Sequence, residues 1–238
     1  MHLLNCTIKS ELFPSNDCYP FIIPAIRFLN KLDFTSPVTI FAGDNGSGKS
    51  TLLRAITMRC NIHIWSGPER EKPGYNLYED RLWEFLDITW AHGPVPGSFF
   101  GAEMFRHFAQ NVDEWASLSP GVLDYYGGRP LTSQSHGQCH LSYFRNRYGI
   151  KGLYFLDEPE NALAPAKELE LMKLMHRVSR QGHAQFIMAT HSPILMACPG
   201  AKILSFDSSP LKEVLYEDTE HFRFYREFMN NREKFIDP

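Results

Sequence analysis

Residues 37–51 of this chain read Pro-Val-Thr-Ile-Phe-Ala-Gly-Asp-Asn-Gly-Ser-Gly-Lys-Ser-Thr. The first part, Pro37–Ala42, is a run of β-branched and apolar residues typical of a buried strand. The second part, Gly43–Thr51, is rich in glycine and leads directly into Leu52–Ile56, a segment that favours a helix. The order G-x-x-x-x-G-K-[ST] between a strand and a helix predicts a phosphate-binding loop in an α/β fold.

The residue types in this loop match the chemistry of nucleotide binding. Glycines let successive backbone N–H groups turn towards phosphate oxygens, and the N-terminus of the next helix adds the positive end of its dipole. We expect Lys49 to reach the β- and γ-phosphates and the Ser50 hydroxyl to bind Mg²⁺, so ATP and Mg²⁺ are the expected cofactors. A glycine-rich turn that merely precedes a lysine is the alternative. The predicted nucleotide contacts in the loop are Asp44, Asn45, Gly46, Ser47, Gly48, Lys49, Ser50 and Thr51.

A second motif lies far downstream, where the apolar run Gly152–Leu156 ends in Asp157-Glu158-Pro159-Glu160. A carboxylate at the end of a buried strand beside a phosphate-binding loop holds Mg²⁺, and Asp157 has that place. The adjacent Glu158 is then the expected general base for the attacking water. The alternative is a solvated acidic turn whose carboxylates complement a helix N-terminus.

A third motif closes the apolar run Ala184–Thr190 with His191-Ser192-Pro193. A histidine at a strand end can sense the γ-phosphate and position the attacking water. A lone histidine more often caps the next helix or lies buried with its hydrogen bonds satisfied. The position of His191 after the other two motifs favours the functional interpretation.

The combined motifs resemble the ABC-type ATPase superfamily, in particular its soluble, non-transporter members related to SMC and RecF-like proteins. Gly43–Thr51 resembles the Walker A motif and Leu153–Glu158 the Walker B motif with its catalytic glutamate. Asn161–Leu163 stands in the place of the D-loop, and Thr190–Ser192 resembles the switch-histidine segment. The resemblance implies a P-loop sheet flanked by helices, an inserted helical lobe, and an ATP hydrolase whose catalytic residues are Lys49, Glu158 and His191.

The family also carries a signature motif, usually Leu-Ser-Gly-Gly-Gln, upstream of the Walker B motif, and here Gln134–Gln138 reads Gln-Ser-His-Gly-Gln. The chain departs from the family at Gln134 and at His136, where a side chain stands in place of a glycine. A Ser-His-Gly-Gln variant is similar to one found in a group of small bacterial predicted ATPases. In the family, this motif contacts the γ-phosphate bound to the partner subunit. The residues to which the resemblance assigns that role are Ser135, His136, Gly137 and Gln138.

Apolar residues at helical spacing predict a helix over Gln138–Tyr148, with the signature segment at its N-terminus. Zinc binding by His136 and His140 is disfavoured because no further ligand stands at a suitable spacing. Further helices are predicted at Ala102–Leu118, Pro165–Arg180 and Asp218–Asn231, and strands at Lys202–Phe206 and Leu211–Tyr216.

The chain is expected to form one ATPase domain over residues 1–238, with residues 62–150 as an inserted helical lobe that carries the signature motif. The sequence has no sustained heptad repeat, so the long coiled-coil arm of SMC-type proteins is not expected. A Q-loop glutamine is not evident, and Phe99–Glu103 is the candidate for the equivalent segment. Tyr19 either stacks on adenine or belongs to a proline-marked strand at a sheet edge.

The composition limits the classes of partner. The 238 residues contain 24 Lys+Arg and 27 Asp+Glu, which gives a net charge of -3. This charge does not support a protein that coats nucleic acid over its whole surface, but it is compatible with a local basic patch. The five cysteines lack metal-type spacing and favour reduced thiols in a cytoplasmic protein. Neither a signal peptide nor a membrane-spanning run is evident, so no membrane insertion is expected.

The resemblance therefore implies an ATP-dependent homodimer that sandwiches two ATP molecules and regulates or drives an unidentified protein partner or effector. DNA repair and antiphage defence are the contexts in which related ATPases act. Two alternatives stay open: the ATP-binding subunit of a membrane transporter, and an ATP-gated binding module with little turnover. A nucleotide kinase is disfavoured because it would lack the Asp-Glu-Pro segment and the late histidine.

Overall fold

The computed structural model describes residues 1–65, 76–134 and 136–236. Nine strands and eight helices are formed within these ranges. The strands are β1 Leu3–Ile8, β2 Lys31–Asp33, β3 Val38–Ala42, β4 Leu86–Trp90, β5 Gly97–Gly101, β6 Gly152–Asp157, β7 Ala184–Ala189, β8 Lys202–Ser205 and β9 Lys212–Val214. The helices are α1 Pro24–Arg27, α2 Lys49–Arg59, α3 Phe105–Leu118, α4 His136–Arg147, α5 Pro165–Arg180, α6 Pro193–Met196, α7 Glu220–Asn230 and α8 Arg232–Ile236.

The strands form two sheets. The larger one has the order β5-β6-β7-β3-β8-β9, in which all neighbours are parallel except the antiparallel pair β8–β9. The smaller one has the order β2-β1-β4 and is antiparallel. Parallel pairing places the carboxyl ends of β3, β6 and β7 at one edge, with Ala189 opposite both Phe41 and Asp157. The loops that follow these three strands therefore meet at that edge.

The two faces of the larger sheet pack against different helices because successive side chains of a buried strand point to opposite faces. One cluster joins Ile40, Leu156 and Met188 to buried side chains of α3, α4 and α5. The other joins Phe41 and Phe155 to α2, α1 and the smaller sheet. The α/β fold class is thus confirmed: α2 lies on one face of the sheet and α3, α4 and α5 on the other.

Most of the predicted elements are present, with differences at their ends. α5 has the predicted bounds Pro165–Arg180. α3 begins at Phe105 rather than Ala102, because β5 and its turn extend to Met104. α4 begins at His136 rather than Gln138. The segment Tyr19–Arg27 is a turn followed by α1, so the suggestion of an edge strand there is wrong.

The segment 62–150, expected to be a helical lobe, also supplies strands to both sheets. β4 pairs with β1 in the smaller sheet, and β5 pairs with β6 at the edge of the larger one. The helical part therefore lies between Phe105 and Arg147. The reason is chemical: Phe99 and Phe100 are β-forming residues that bury their rings on opposite faces of the sheet.

Candidate functional site

The loop Gly43–Thr51 connects the central strand β3 to α2 and is shaped by its glycines. Gly48, at the N-terminus of α2, has φ +100°. A Cβ there would lie 2.7 Å from Cγ2 of Ile23, so both backbone and packing require glycine at this position. The loop is also held from outside, because the backbone N–H of Asp44 donates to Oδ1 of Asp207 at 2.7 Å.

Lys49 lies folded along the loop. Its side chain is 3% exposed, and its Nζ donates to the backbone oxygens of Gly43 and Asp44, each at 2.8 Å. Burial lowers the pKa of Lys49, and the nearby carboxylates, of which Glu158 has the largest effect, act in the opposite direction. An anion bound inside the loop can replace these backbone oxygens as the acceptor of the hydrogen bonds from the ammonium group.

Ser50 and Asp157 join the first turn of α2 to the end of β6. The Ser50 hydroxyl donates to Oδ1 of Asp157 at 2.7 Å, and Nε of Arg54 lies 3.4 Å from Oδ2. Burial raises the pKa of the Asp157 carboxyl, while the hydrogen bond from Ser50 lowers it. A hydroxyl and a buried carboxylate are oxygen ligands of the type that Mg²⁺ prefers, so these two residues fit a magnesium ion.

Glu158 stands next to Asp157 in a left-handed backbone conformation, with φ 47° and ψ 54°. This conformation is uncommon for a residue with a side chain and is typical of functional sites. Its Oε2 accepts from Nδ2 of Asn161 at 2.7 Å, and its Oε1 lies 3.6 Å from Nε2 of His191. The side chain is 34% exposed, so water can reach the carboxylate.

His191 follows β7 and faces Glu158 with one ring nitrogen and His221 with the other. Nδ1 of His191 lies 3.1 Å from Nε2 of His221, which belongs to the first turn of α7. Burial lowers the pKa of His191, and the positive charge of Lys49 lowers it further. The ring is therefore neutral at neutral pH.

Glu160 ties the end of β6 to the end of β7. Its Oε1 accepts from the backbone N–H of His191 at 2.5 Å, and its Oε2 accepts from the Thr190 hydroxyl at 2.8 Å. Burial raises the pKa of the Glu160 carboxyl. The sequence analysis did not predict these contacts of Glu160. The sequence signal for them was that Glu160 is a third acidic residue, after Asp157 and Glu158. The sequence analysis also missed His221, for which the sequence offers no signal.

The structure brings some of the predicted site residues together. The structure brings together the phosphate-binding loop, Asp157, Glu158 and His191 at the carboxyl edge of the sheet. Ser135 lies outside the described residues, and α4 begins at His136. Gly137 lies in open surroundings, where an added Cβ would meet nothing within 4 Å. Buried side chains of α4 belong to the cluster on the sheet face opposite to α2.

Two further candidates lie near the loop. Tyr19 is 40% exposed, and its hydroxyl lies 2.9 Å from Oγ1 of Thr51. In the candidate Q-loop segment, Gly101 pairs with Asp157 across β5 and β6, whereas Glu103 is exposed.

Among the described residues, none of the helices combines the length and the apolar character needed to span a lipid bilayer.

Two family models match parts of the chain. One, described as an AAA domain, matches residues 25–61, which include the phosphate-binding loop. The other, described as "AAA domain, putative AbiEii toxin, Type IV TA system", matches residues 115–197, which include the second and third motifs.

The chain is similar to the molybdenum import ATP-binding protein ModC of Brucella abortus, with 26% identity over 179 residues. This match covers 65% of the chain and 46% of the relative, so the chain spans less than half the length of ModC.

Solved structures share the fold. The SMC head domain of Thermotoga maritima is 18% identical with a TM-score of 0.51, and the match covers 90% of this chain and 100% of the head domain. CbiO1 of Clostridium perfringens, part of the ABC transporter complex CbiONQ, is 16% identical with a TM-score of 0.51, and 98% of each chain is covered. The chain thus has a P-loop NTPase fold, and its residues 25–61 and 115–197 are similar to AAA-domain models.

Proposed function

We propose that this chain binds ATP with Mg²⁺, hydrolyses it, and does so as a dimer that sandwiches two ATP molecules. The observation that carries the proposal is the convergence of four functional groups at one sheet edge. The Lys49 ammonium, the Ser50–Asp157 pair, the Glu158 carboxylate and the His191 ring are linked there by contacts of 2.7 to 3.6 Å and by shared loops.

Each group has a role that its surroundings favour. Lys49 and the backbone N–H groups of the loop bind the phosphates, and Ser50 and Asp157 hold Mg²⁺. When bound, Mg²⁺ would neutralise negative charge on the phosphates. Glu158 accepts a proton from the attacking water while the bond between the γ-phosphorus and its bridging oxygen breaks, which yields ADP and inorganic phosphate. His191 donates from Nε2 to a γ-phosphate oxygen.

The dimer is supported by the resemblance to ABC-type ATPases, and the packing of the signature helix is compatible with it. α2, which begins in the phosphate-binding loop, and α4, which begins in the signature segment, pack on opposite faces of the sheet. In the proposed dimer, a γ-phosphate bound at the loop is reached by Gly137 and its neighbours from a second copy of the chain. Both sites are completed when two copies face each other in this way, as the resemblance to ABC-type ATPases implies.

The partner that the cycle regulates or drives is a protein effector, and a defence system is the favoured context. The description of the family model over residues 115–197 names a toxin of a toxin–antitoxin system, which supports this context. A second candidate is the ATP-binding subunit of a transporter, because ModC is an import ATP-binding protein. Two experiments distinguish these partners. One measures ATP turnover with and without DNA, and the other identifies the proteins that co-purify with the ATP-bound form.

The dimer is tested with Glu158→Gln, which keeps the side-chain size and removes the base. Light scattering of this variant is expected to show a dimer with saturating ATP and Mg²⁺ and a monomer without nucleotide, while hydrolysis is lost. Glu114→Gln is the matched control, because this glutamate is exposed on α3, outside the predicted site segments, and the variant should behave as wild type. A Glu158→Gln protein that binds ATP and stays monomeric would overturn the sandwich.

A further inference from the structure

We infer that His221 is a positioning residue for His191, and that its ring holds His191 in the tautomer whose Nε2 carries the proton. The inference rests on the proposed function, in which Nε2 of His191 donates to the γ-phosphate. His221 itself does not touch the nucleotide in this scheme. It acts through the hydrogen bond that it makes to Nδ1 of His191.

The two rings are held in place from both sides. Their centroids lie 5.2 Å apart with an interplanar angle of 60°, and Nδ1 of His191 lies 3.1 Å from Nε2 of His221. The first turn of α7 is fixed because the Thr219 hydroxyl accepts from the N–H of Phe222, and the Phe222 ring packs on Tyr216 with centroids 4.6 Å apart. His191 is fixed through its backbone N–H, as described above.

A hydrogen bond between two ring nitrogens needs one donor and one acceptor. If Nδ1 of neutral His191 donated, its Nε2 would carry a bare lone pair that faces Oε1 of Glu158 at 3.6 Å. Two acceptors, Nε2 of His191 and Oε1 of Glu158, would then face each other. The same lone pair on Nε2 would also repel the γ-phosphate oxygens. If His221 donates from Nε2, His191 accepts at Nδ1 and carries its proton on Nε2, towards Glu158 and the phosphate. The second arrangement is the one that the surrounding charges favour.

The neighbours of both rings are consistent with this assignment. His191 is influenced by Lys49, Glu158 and Asp44, and His221 by Asp207, Lys49, Asp44 and Glu220. Burial is the largest influence and lowers the pKa of both histidines, so both rings are neutral at neutral pH and each carries one proton. His221 also lines a cavity of about 230 Å³, together with Lys212 and Arg223.

Nitrogen-15 NMR of the nucleotide-free protein tests the tautomer directly. Long-range ¹H–¹⁵N spectra distinguish a protonated ring nitrogen from an unprotonated one, and at about pH 8 both rings are neutral. We expect His191 to carry its proton on Nε2 in the wild type and in His221→Gln, whose amide nitrogen can still donate. In His221→Phe we expect a mixture of tautomers. A wild-type His191 with its proton on Nδ1, or a His221→Phe spectrum equal to wild type, would overturn the inference.

Steady-state kinetics give the second readout. His221→Phe is expected to lower kcat about 10-fold with KM for ATP nearly unchanged, whereas His221→Gln retains most activity. His92→Phe, the same change at an exposed histidine, is the matched control. Equal loss in both His221 variants would also contradict the inference. A wild-type protein without ATPase activity would refute the proposed function alone, because the wild-type spectrum decides the tautomer without turnover and without any variant.

Discussion

The Ser50 hydroxyl donates to Oδ1 of Asp157 at 2.7 Å, although β3 and β6, the strands that lead to these two residues, are not neighbours in the sheet. β7 lies between them. The bond therefore crosses the end of β7, and it explains why His191, which follows β7, lies at the same site. The geometry follows from the parallel order of three strands, which places their carboxyl ends at one edge.

Ser50→Ala is expected to weaken binding of Mg²⁺–ATP while leaving binding of ATP in EDTA nearly unchanged. The variant removes a hydroxyl ligand, and a lost interaction with a charged group, worth about 1.5–3 kcal/mol, corresponds to about 10–100-fold in affinity. Calorimetric titration with and without Mg²⁺ measures both values. Ser117→Ala, at an exposed position on α3, serves as the control. Equal losses with and without Mg²⁺ would contradict the assignment of Ser50 to the metal.

Lys49→Ala is expected to reduce ATP affinity about 10–100-fold, since a charge-assisted hydrogen bond to phosphate is lost. The free energy of unfolding should not fall by a comparable amount, because burial already disfavours the Lys49 charge and lowers its pKa. Nucleotide titration and urea denaturation separate the two effects. Lys173→Ala, at an exposed position on α5, is the matched control. A Lys49→Ala protein that binds ATP normally would refute the predicted contact.

Glu160→Ala is expected to lower both stability and ATP hydrolysis. The change leaves the backbone N–H of His191 without its acceptor, and an unsatisfied buried donor costs about 1–3 kcal/mol. Glu160→Gln can keep both contacts, with its oxygen towards His191 and its amide towards Thr190. We expect the Gln variant to unfold at a urea concentration at least equal to that of the wild type.

The pH dependence of the free energy of unfolding, compared between the wild type and Glu160→Gln, gives an independent readout. Burial raises the folded-state pKa of Glu160 above its ordinary 4.5, so the native state favours the neutral carboxyl. The wild type therefore loses stability relative to Glu160→Gln as the pH rises from below 4.5 through the raised pKa, and the difference stays constant above it. Urea denaturation of both proteins across this pH range measures the difference. A difference that shrinks as the pH rises would contradict the raised pKa of the buried Glu160 carboxyl.

Local patterns in the sequence were enough to predict the strand–loop–helix unit at Gly43–Thr51 and the strands that end at Asp157 and before His191. These elements depend on runs of apolar residues and on glycine spacing, which are visible within a short window. The contacts of Asp207 with Asp44 and of His221 with His191 were not predictable in this way. Each joins residues that are distant in sequence through the packing of the last strands and helices, and neither leaves a periodic pattern.

The contact between the smaller sheet and the larger one shows the same limit, because a buried polar side chain joins them in addition to the apolar cluster. Gln185 on β7 is fully buried, and its Oε1 accepts from the backbone N–H groups of His2 at 2.7 Å and Leu3 at 2.8 Å. Its Nε2 donates to the backbone oxygen of Leu3 at 3.0 Å. A glutamine in an apolar strand would otherwise be unfavourable, so these three bonds are what allow it there.

Gln185→Leu is therefore expected to lower the free energy of unfolding by about 3 kcal/mol or more, although leucine is apolar and similar in size. Two backbone N–H groups and one carbonyl lose their partner in a buried place, and each such loss costs about 1–3 kcal/mol. Urea denaturation measures the change, and Gln110→Leu, at an exposed position on α3, is the control that should differ little from wild type. If Gln185→Leu were as stable as this control, the backbone of β1 would have to find other partners, and Gln185 would not be the anchor between the two sheets.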